Sequence, residues 1–140
     1  MRCQVFADTS YWVALIDKSD ALHQAAQFAF IEIKDAQILT TEAVLIEVVN
    51  FFSRYGDWMR QKAGHFVREI IVSPELVVLP SSREMLMSGL SLHLQRPDKN
   101  YPLTDCISMQ MMRELGVFEI LTHDHHFAQE GFVALMRGQI

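Results

Sequence analysis

Short β-prone runs alternate with longer stretches of helical spacing along the whole chain, and this alternation constrains the fold more than any other feature. "CQVFA" at 3–7, "QIL" at 37–39, "ELVVLP" at 75–80 and "VFEIL" at 117–121 read as strands, with a last short strand in "GFVALM". The first run meets Asp-Thr-Ser, so a buried strand enters a helix cap there. A helix over 19–33 follows from Leu22, Ala25, Ala26, Ala29, Phe30 and Ile33, which recur along one face. Thr41 caps the next helix and Gly56 closes it, and another covers 57–72 and stops ahead of Pro74, because proline cannot continue the hydrogen-bond ladder. Residues 82–95 return to helical spacing through Met85, Leu86, Leu90 and Leu94, and a last helix runs from Thr104 to Leu115 and ends at Gly116. "RPDKNYP" at 96–102 is the one clear polar loop. Parallel strand neighbours need a long crossover, which is usually a helix, so the pattern predicts an α/β fold with a mostly parallel sheet covered on both faces.

With 140 residues, half of them apolar, the chain can bury a sizeable core, and a single domain over 1–140 is expected. The longest apolar run, "YWVALI", is far too short to span a membrane, and no basic region followed by a long apolar stretch opens the chain, so a soluble cytoplasmic protein with no membrane association is expected. Cys3 and Cys106 have no neighbouring cysteine and read as reduced, half-buried residues. Seventeen acids stand against twelve Lys plus Arg, a net charge of −5, which argues against a protein that grips nucleic acid mainly by positive charge. A polyanionic substrate would need local basic residues or bound cations.

In open parallel α/β sheets, ligands bind outside the carboxyl ends of the strands. Three acids pass that test: Asp8 after the first strand, Asp105 at the opening of the helix after the polar loop, and Asp124 after the strand ending at Leu121 and Thr122. Glu47 is a fourth candidate, on a stripe with Ala43, Asn50 and Arg54 inside an otherwise apolar helix, and Glu42 at the helix start is its rival. Each acid also has a structural reading. Asp8 can cap a helix, Asp105 suits the positive end of a helix dipole, Asp124 suits a turn and Glu47 a solvated face. Taken together they point further, because acids converging on one sheet edge repel and raise one another's pKa unless a cation sits among them. An all-oxygen donor set suits Mg²⁺ or Mn²⁺, and so phosphodiester or phosphoryl chemistry.

"LTHDHHF" at 121–127 invites a zinc reading through His123, His125, His126 and Asp124, but neighbouring residues of an extended chain point to opposite sides. The favoured alternative has His126 or Phe127 packing beneath the site, with His123 or His125 partly exposed. Ser10 lacks the glycine-flanked elbow of a hydrolase nucleophile, and a phosphatase using Asp8 would want a second acid where Ser10 stands. "FFSRYGDWM" at 51–59 reads first as core packing between two helices and second as a partner groove. Met109, Met111 and Met112 read as core or dimer contacts.

Four segments in order, "VFADTSYWVALID", "LTTEAVLIEVVNFF", "YPLTDCISMQMMRELGV" and "ILTHDHHFAQEGF", resemble PIN-domain ribonucleases, particularly the VapC toxins of bacterial toxin–antitoxin pairs. The resemblance runs through nearly the whole chain, with residues 54–102 matching only in character. It implies a three-layer α/β/α sandwich around a mostly parallel sheet of about five strands. It places a catalytic, metal-holding quartet on Asp8, Glu47, Asp105 and Asp124, favouring Glu47 over Glu42, with Thr9, Ser10 and Thr122 as supporting residues and Asn50 joining them from the Glu47 stripe. The implied activity is hydrolysis of RNA phosphodiester bonds with Mg²⁺ or Mn²⁺. A cognate antitoxin and a homodimer are the implied partners, and Arg54, Lys62, Arg96 or Lys99 would help hold RNA. The alternatives are an RNA-processing nuclease that is not a toxin, and a non-catalytic binding module on the same fold.

Overall fold

The computed structural model describes residues 3–137. Its elements follow the order β1 (Gln4–Ala7), α1 (Thr9–Ile16), α2 (His23–Glu32), β2 (Gln37–Thr41), α3 (Glu42–Phe51), a 3₁₀ turn (Phe52–Arg54) and α4 (Gly56–Val72). They continue with β3 (Leu76–Leu79), α5 (Arg83–Gln95), α6 (Leu103–Leu115), β4 (Glu119–Leu121), α7 (His125–Gln129) and β5 (Val133–Ala134). The strands form one sheet in the order β3-β2-β1-β4-β5, and every pairing is parallel. Crossovers to β2 and β3 run one way from β1 and those to β4 and β5 the other. Right-handed connections therefore lay α1–α4 on one face and α5–α7 on the opposite face. The helix packing agrees, and the result is the expected three-layer α/β/α sandwich.

Central β1 is covered on both sides, so Val5, Phe6 and Ala7 are all buried regardless of alternation. Trp12, Leu39, Val44, Met109, Met112, Ile120 and Phe127 fill the space between sheet and helices. Caps end several elements as their residues dictate. Thr41 Oγ1 accepts from the Val44 N–H at 3.2 Å, Ser82 Oγ accepts from Met85 at 3.1 Å, and Gly116 closes α6 in the left-handed region at φ 70°.

Several expectations shift. The helix expected from residue 19 begins at His23, because Asp17 and Asp20 fold back onto the N–H groups of Ser19 and Leu22 and hold local turns instead. Phe30 is 51% exposed on α2, whose buried face is the narrower stripe of Ala25, Ala26 and Ala29. On α5 the expected Leu86 and Leu94 point outward, and Gly89 and Leu92 are buried instead. A Cβ at Gly89 would run into Ile107 of α6, 3.1 Å from its Cα, so the glycine itself allows the two helices to meet there. Cys106 is fully buried and Cys3 exposed, and both thiols are free. Of "FFSRYGDWM", Phe52 is core and Met59 packs against it, whereas Phe51, Tyr55 and Trp58 are exposed, which overturns core packing for those three rings. Met109 and Met112 are core. Among the described residues, no helix is long and apolar enough to cross a membrane.

Candidate active site

The chain leaves β1 for one side of the sheet and reaches β4 on the other, so the topological switch lies between these two strands, where ligand crevices open in such sheets. Ala7 pairs with Leu121, and the next residue, Asp8, donates its N–H to the Leu121 carbonyl at 3.1 Å. Asp8 and Thr122 thus sit side by side at the carboxyl edge. Asp8 is the N-cap residue of α1 by backbone alone, since its side chain caps nothing and is free for other use. The Thr122 hydroxyl donates to Asp8 Oδ2 at 2.9 Å, while Asp8 Oδ1 is buried without a partner.

The three other candidate carboxylates join Asp8 around a cavity of about 330 Å³. Glu47 comes from α3 and accepts from the Thr9 hydroxyl. Asp105 comes from the first turn of α6 and is buried. Asp124 caps α7, accepting the His126 N–H at 2.9 Å, and its own N–H donates to Thr122 Oγ1 at 3.1 Å. Ser10 completes the floor, its hydroxyl 3.1 Å from that of Thr122 and accepting from the His123 N–H at 3.4 Å. Two larger grooves, of about 640 and 740 Å³, are mostly apolar and lie away from these acids.

Electrostatics register the crowding. Burial, then the charge of Asp105 and more weakly that of Glu47, push the Asp8 carboxyl up to about 8 against the Thr9 backbone N–H and the Thr122 hydroxyl. Burial, Asp124 and Glu47 push Asp105 to about 7. A fold gains nothing by gathering acids this way on its own account. Against a hard cation the set makes sense: every donor is oxygen, and Asp8 Oδ1 is a buried acceptor with a vacant lone pair.

The structure brings Asp8, Thr9, Ser10, Glu47, Asp105 and Asp124 to one cavity, with Thr122 bonded beneath it. Glu42, the rival of Glu47, is engaged elsewhere, accepting the Ser81 N–H at 2.8 Å. Asn50 is not brought in. It is exposed and lines an apolar groove with Glu42 and Ile46, because three residues turn a helix by about 300° and leave it some 60° short of Glu47. Arg96 is likewise not free for a substrate, being held by Glu130.

Sequence reasoning missed three features. Asp20 also lines the cavity, from a turn where the sequence spacing predicts helix. His126 is more than packing: its Nδ1 lies 3.1 Å from both Asp105 Oδ2 and Asp124 Oδ1, and its ring meets Tyr101 edge-on at 5.1 Å. Asp124, His125 and His126 can direct ligand atoms within 4.8 Å of one another, closer than an extended chain allows, because the segment turns helical at His125. The third is Glu130, which takes Arg96 at 2.9 Å, Arg113 at 2.8 Å and the Tyr101 hydroxyl at 3.0 Å. Phe127 is buried and His125 exposed, as expected.

A family model for the PIN domain matches residues 5–132, covering β2, β3 and β4 whole and all but the first residue of β1. The chain belongs to the PIN-domain family. It is 28% identical over 129 residues to the 23S rRNA-specific endonuclease VapC20 of Mycobacterium tuberculosis, covering 92% of this chain and 95% of that protein. The crystal structure of VapC20, described as a Sarcin-Ricin loop cleaving toxin, matches with a TM-score of 0.83 at 24% identity, over 92% of this chain and 96% of that one. That likeness shows a common fold, and the cavity of this PIN domain opens at its sheet's switch point.

Proposed function

We propose that this PIN domain is a divalent-metal-dependent endoribonuclease and the toxin of a toxin–antitoxin pair. The observation that carries this reading is the convergence of Asp8, Glu47, Asp105 and Asp124 on one cavity, with two of the carboxyls held far above their usual range and one buried oxygen unpaired. Likeness to VapC20 along nearly the full length of both chains supports ribonuclease chemistry and the toxin role. An antitoxin partner and a homodimer belong to the same reading.

Asp8, Glu47, Asp105 and Asp124 would hold Mg²⁺ or Mn²⁺, which when bound supplies Lewis-acid activation of water and charge neutralisation at phosphorus. The chain's own residues prepare that site. Thr122 orients Asp8, Thr9 orients Glu47, and His126 together with the α7 N-terminus orients Asp124. In hydrolysis, the oxygen of water forms the new bond to phosphorus while the P–O3′ bond breaks, and the 3′ oxygen leaves carrying a proton. An acidic protein can accept this polyanion where the contact is neutralised locally.

The test is cleavage of a structured RNA by purified protein in millimolar Mg²⁺ or Mn²⁺. EDTA, Asp8→Asn and Asp105→Asn should each abolish cleavage while circular dichroism shows the fold retained. Undiminished cleavage in both variants would sink the proposal. Growth arrest on expression, relieved by a co-expressed small neighbouring gene product, tests the toxin role.

A further inference from the structure

Within the segment from Phe51 to Lys62, the rings of Phe51, Tyr55 and Trp58 are left uncovered by the core. Phe51 is 43%, Tyr55 54% and Trp58 71% exposed. The rings are organised. Phe51 and Tyr55 stack at 5.2 Å with 21° between their planes, and both rest edge-on against buried Phe52, at 5.0 and 5.8 Å. Such buttressing holds flat aromatic faces ready in water at little further cost in rotamer freedom. Phe51 also lines the acidic cavity beside Asp8 and Glu47, so the stack continues outward from the site. The chain is acidic as a whole, yet this strip carries Arg54, Arg60 and Lys62 against Asp57, and the Lys62 ammonium sits over the Trp58 ring at 5.1 Å.

We propose that the Phe51–Tyr55 stack is a nucleobase ledge, on which an unpaired base of the RNA stacks while the neighbouring phosphate enters the acidic cavity. Trp58, Lys62 and Arg54 continue the path of the strand. A stacked aromatic pair joined to the cavity and interleaved with cations is the construction that single-stranded nucleic acids use. A base paired in a duplex keeps both faces within its own stack and offers the ledge none, so the ledge takes only an unpaired or extruded base. The inference deepens the ribonuclease reading and rests on it.

The probe is an RNA stem-loop carrying 2-aminopurine in the loop, titrated in millimolar Mg²⁺ against protein in the Asp105→Asn background, with a blunt duplex as comparison. Binding should quench the fluorophore, and the duplex should bind at least about tenfold more weakly. Phe51→Ala and Tyr55→Ala should weaken stem-loop binding by about 5- to 150-fold, as loss of a base–aromatic stack does. Phe51→Trp should keep affinity and quenching, and Phe51→Leu, which restores bulk without a π face, should keep neither. Wild-type behaviour in Phe51→Leu and Tyr55→Ala would overturn the ledge. So would loss of a co-purifying antitoxin in these variants with RNA binding unchanged, which would make the strip a protein-docking surface. If the stem-loop binds and quenches as described but the protein with its native acids cleaves no RNA, the ribonuclease reading falls and the ledge stands.

Discussion

Replacing a carboxyl of the acidic cavity with an amide should stabilise the metal-free protein while abolishing its response to metal. The Asp8 carboxyl lies at about 8 in the folded chain, mainly through burial and then through Asp105, against 3.8 for an ordinary aspartate. A raised folded pKa means that the native state holds a proton that the unfolded chain has released. Its contribution is complete below about pH 4, declines as pH rises and is gone above about pH 8. At pH 7 the interval from 3.8 is about three pH units, a ceiling near 4 kcal/mol at about 1.4 kcal/mol per unit. Asp105 shares the same field, so the two penalties overlap and cannot be added. Asn at position 8 keeps an acceptor for Thr122 and turns an amide toward the neighbouring carboxylates, so a gain of about 1–3 kcal/mol is expected. For a chain of this length that raises Tm by about 3–10 °C.

Thermal melts of wild type and Asp8→Asn in EDTA at pH 7 should show this rise, and the gap should close toward pH 4. Adding Mn²⁺ should close or reverse the gap. A ligand present at about 100 times its Kd stabilises the native state by about 2.7 kcal/mol, and that gain should be confined to the wild type. If Asp8→Asn melts lower than wild type in EDTA at pH 7, or gains as much from Mn²⁺, then Asp8 is a structural cap and the metal-centre reasoning is wrong.

Glu130→Gln should cost about 1–2 kcal/mol in urea unfolding at pH 7, because hydrogen bonds from Arg96, then from Arg113 and Tyr101, hold the Glu130 carboxyl down at about 2, and both arginines are about a third exposed and screened. A depressed folded pKa contributes stability above about pH 4.5 that is lost as pH falls toward 2, so the variant and wild type should converge in acid. Gly89→Ala should destabilise by about 1–3 kcal/mol, since the new methyl meets Ile107 and must part α5 from α6; a neutral result in calorimetry would show that the contact relaxes freely. Thr122→Val keeps the shape but removes the donor to Asp8 and the acceptor for the Asp124 N–H, and RNA cleavage assays should show kcat about 10- to 100-fold lower with the fold intact.

What was legible in the sequence is what depends on local order along the chain. Strand–helix alternation determined the layers, and Asp8, Asp105 and Asp124 stood out because each follows a strand or opens a helix at the edge where ligands bind. Choosing Glu47 over Glu42 needed more. Five helical residues turn about 500°, which sends the two side chains some 140° apart, but only the position of the β3–α5 connection shows that Glu42 is the one facing Ser81. Glu130 was invisible because its partners lie 34 and 17 residues away, and nothing local distinguishes it from a solvated glutamate. The exposure of Phe51 and Tyr55 was hidden for a related reason, since helical periodicity assigns an apolar ring to a face without saying whether that face is covered. The acids were found and the rings misjudged because they break different rules. Gathering carboxylates costs the folded chain energy whatever surrounds them, so their positions alone raised the question of a cation. An exposed aromatic breaks a rule only once the neighbouring layer is known to be missing, and that is long-range information held by the fold.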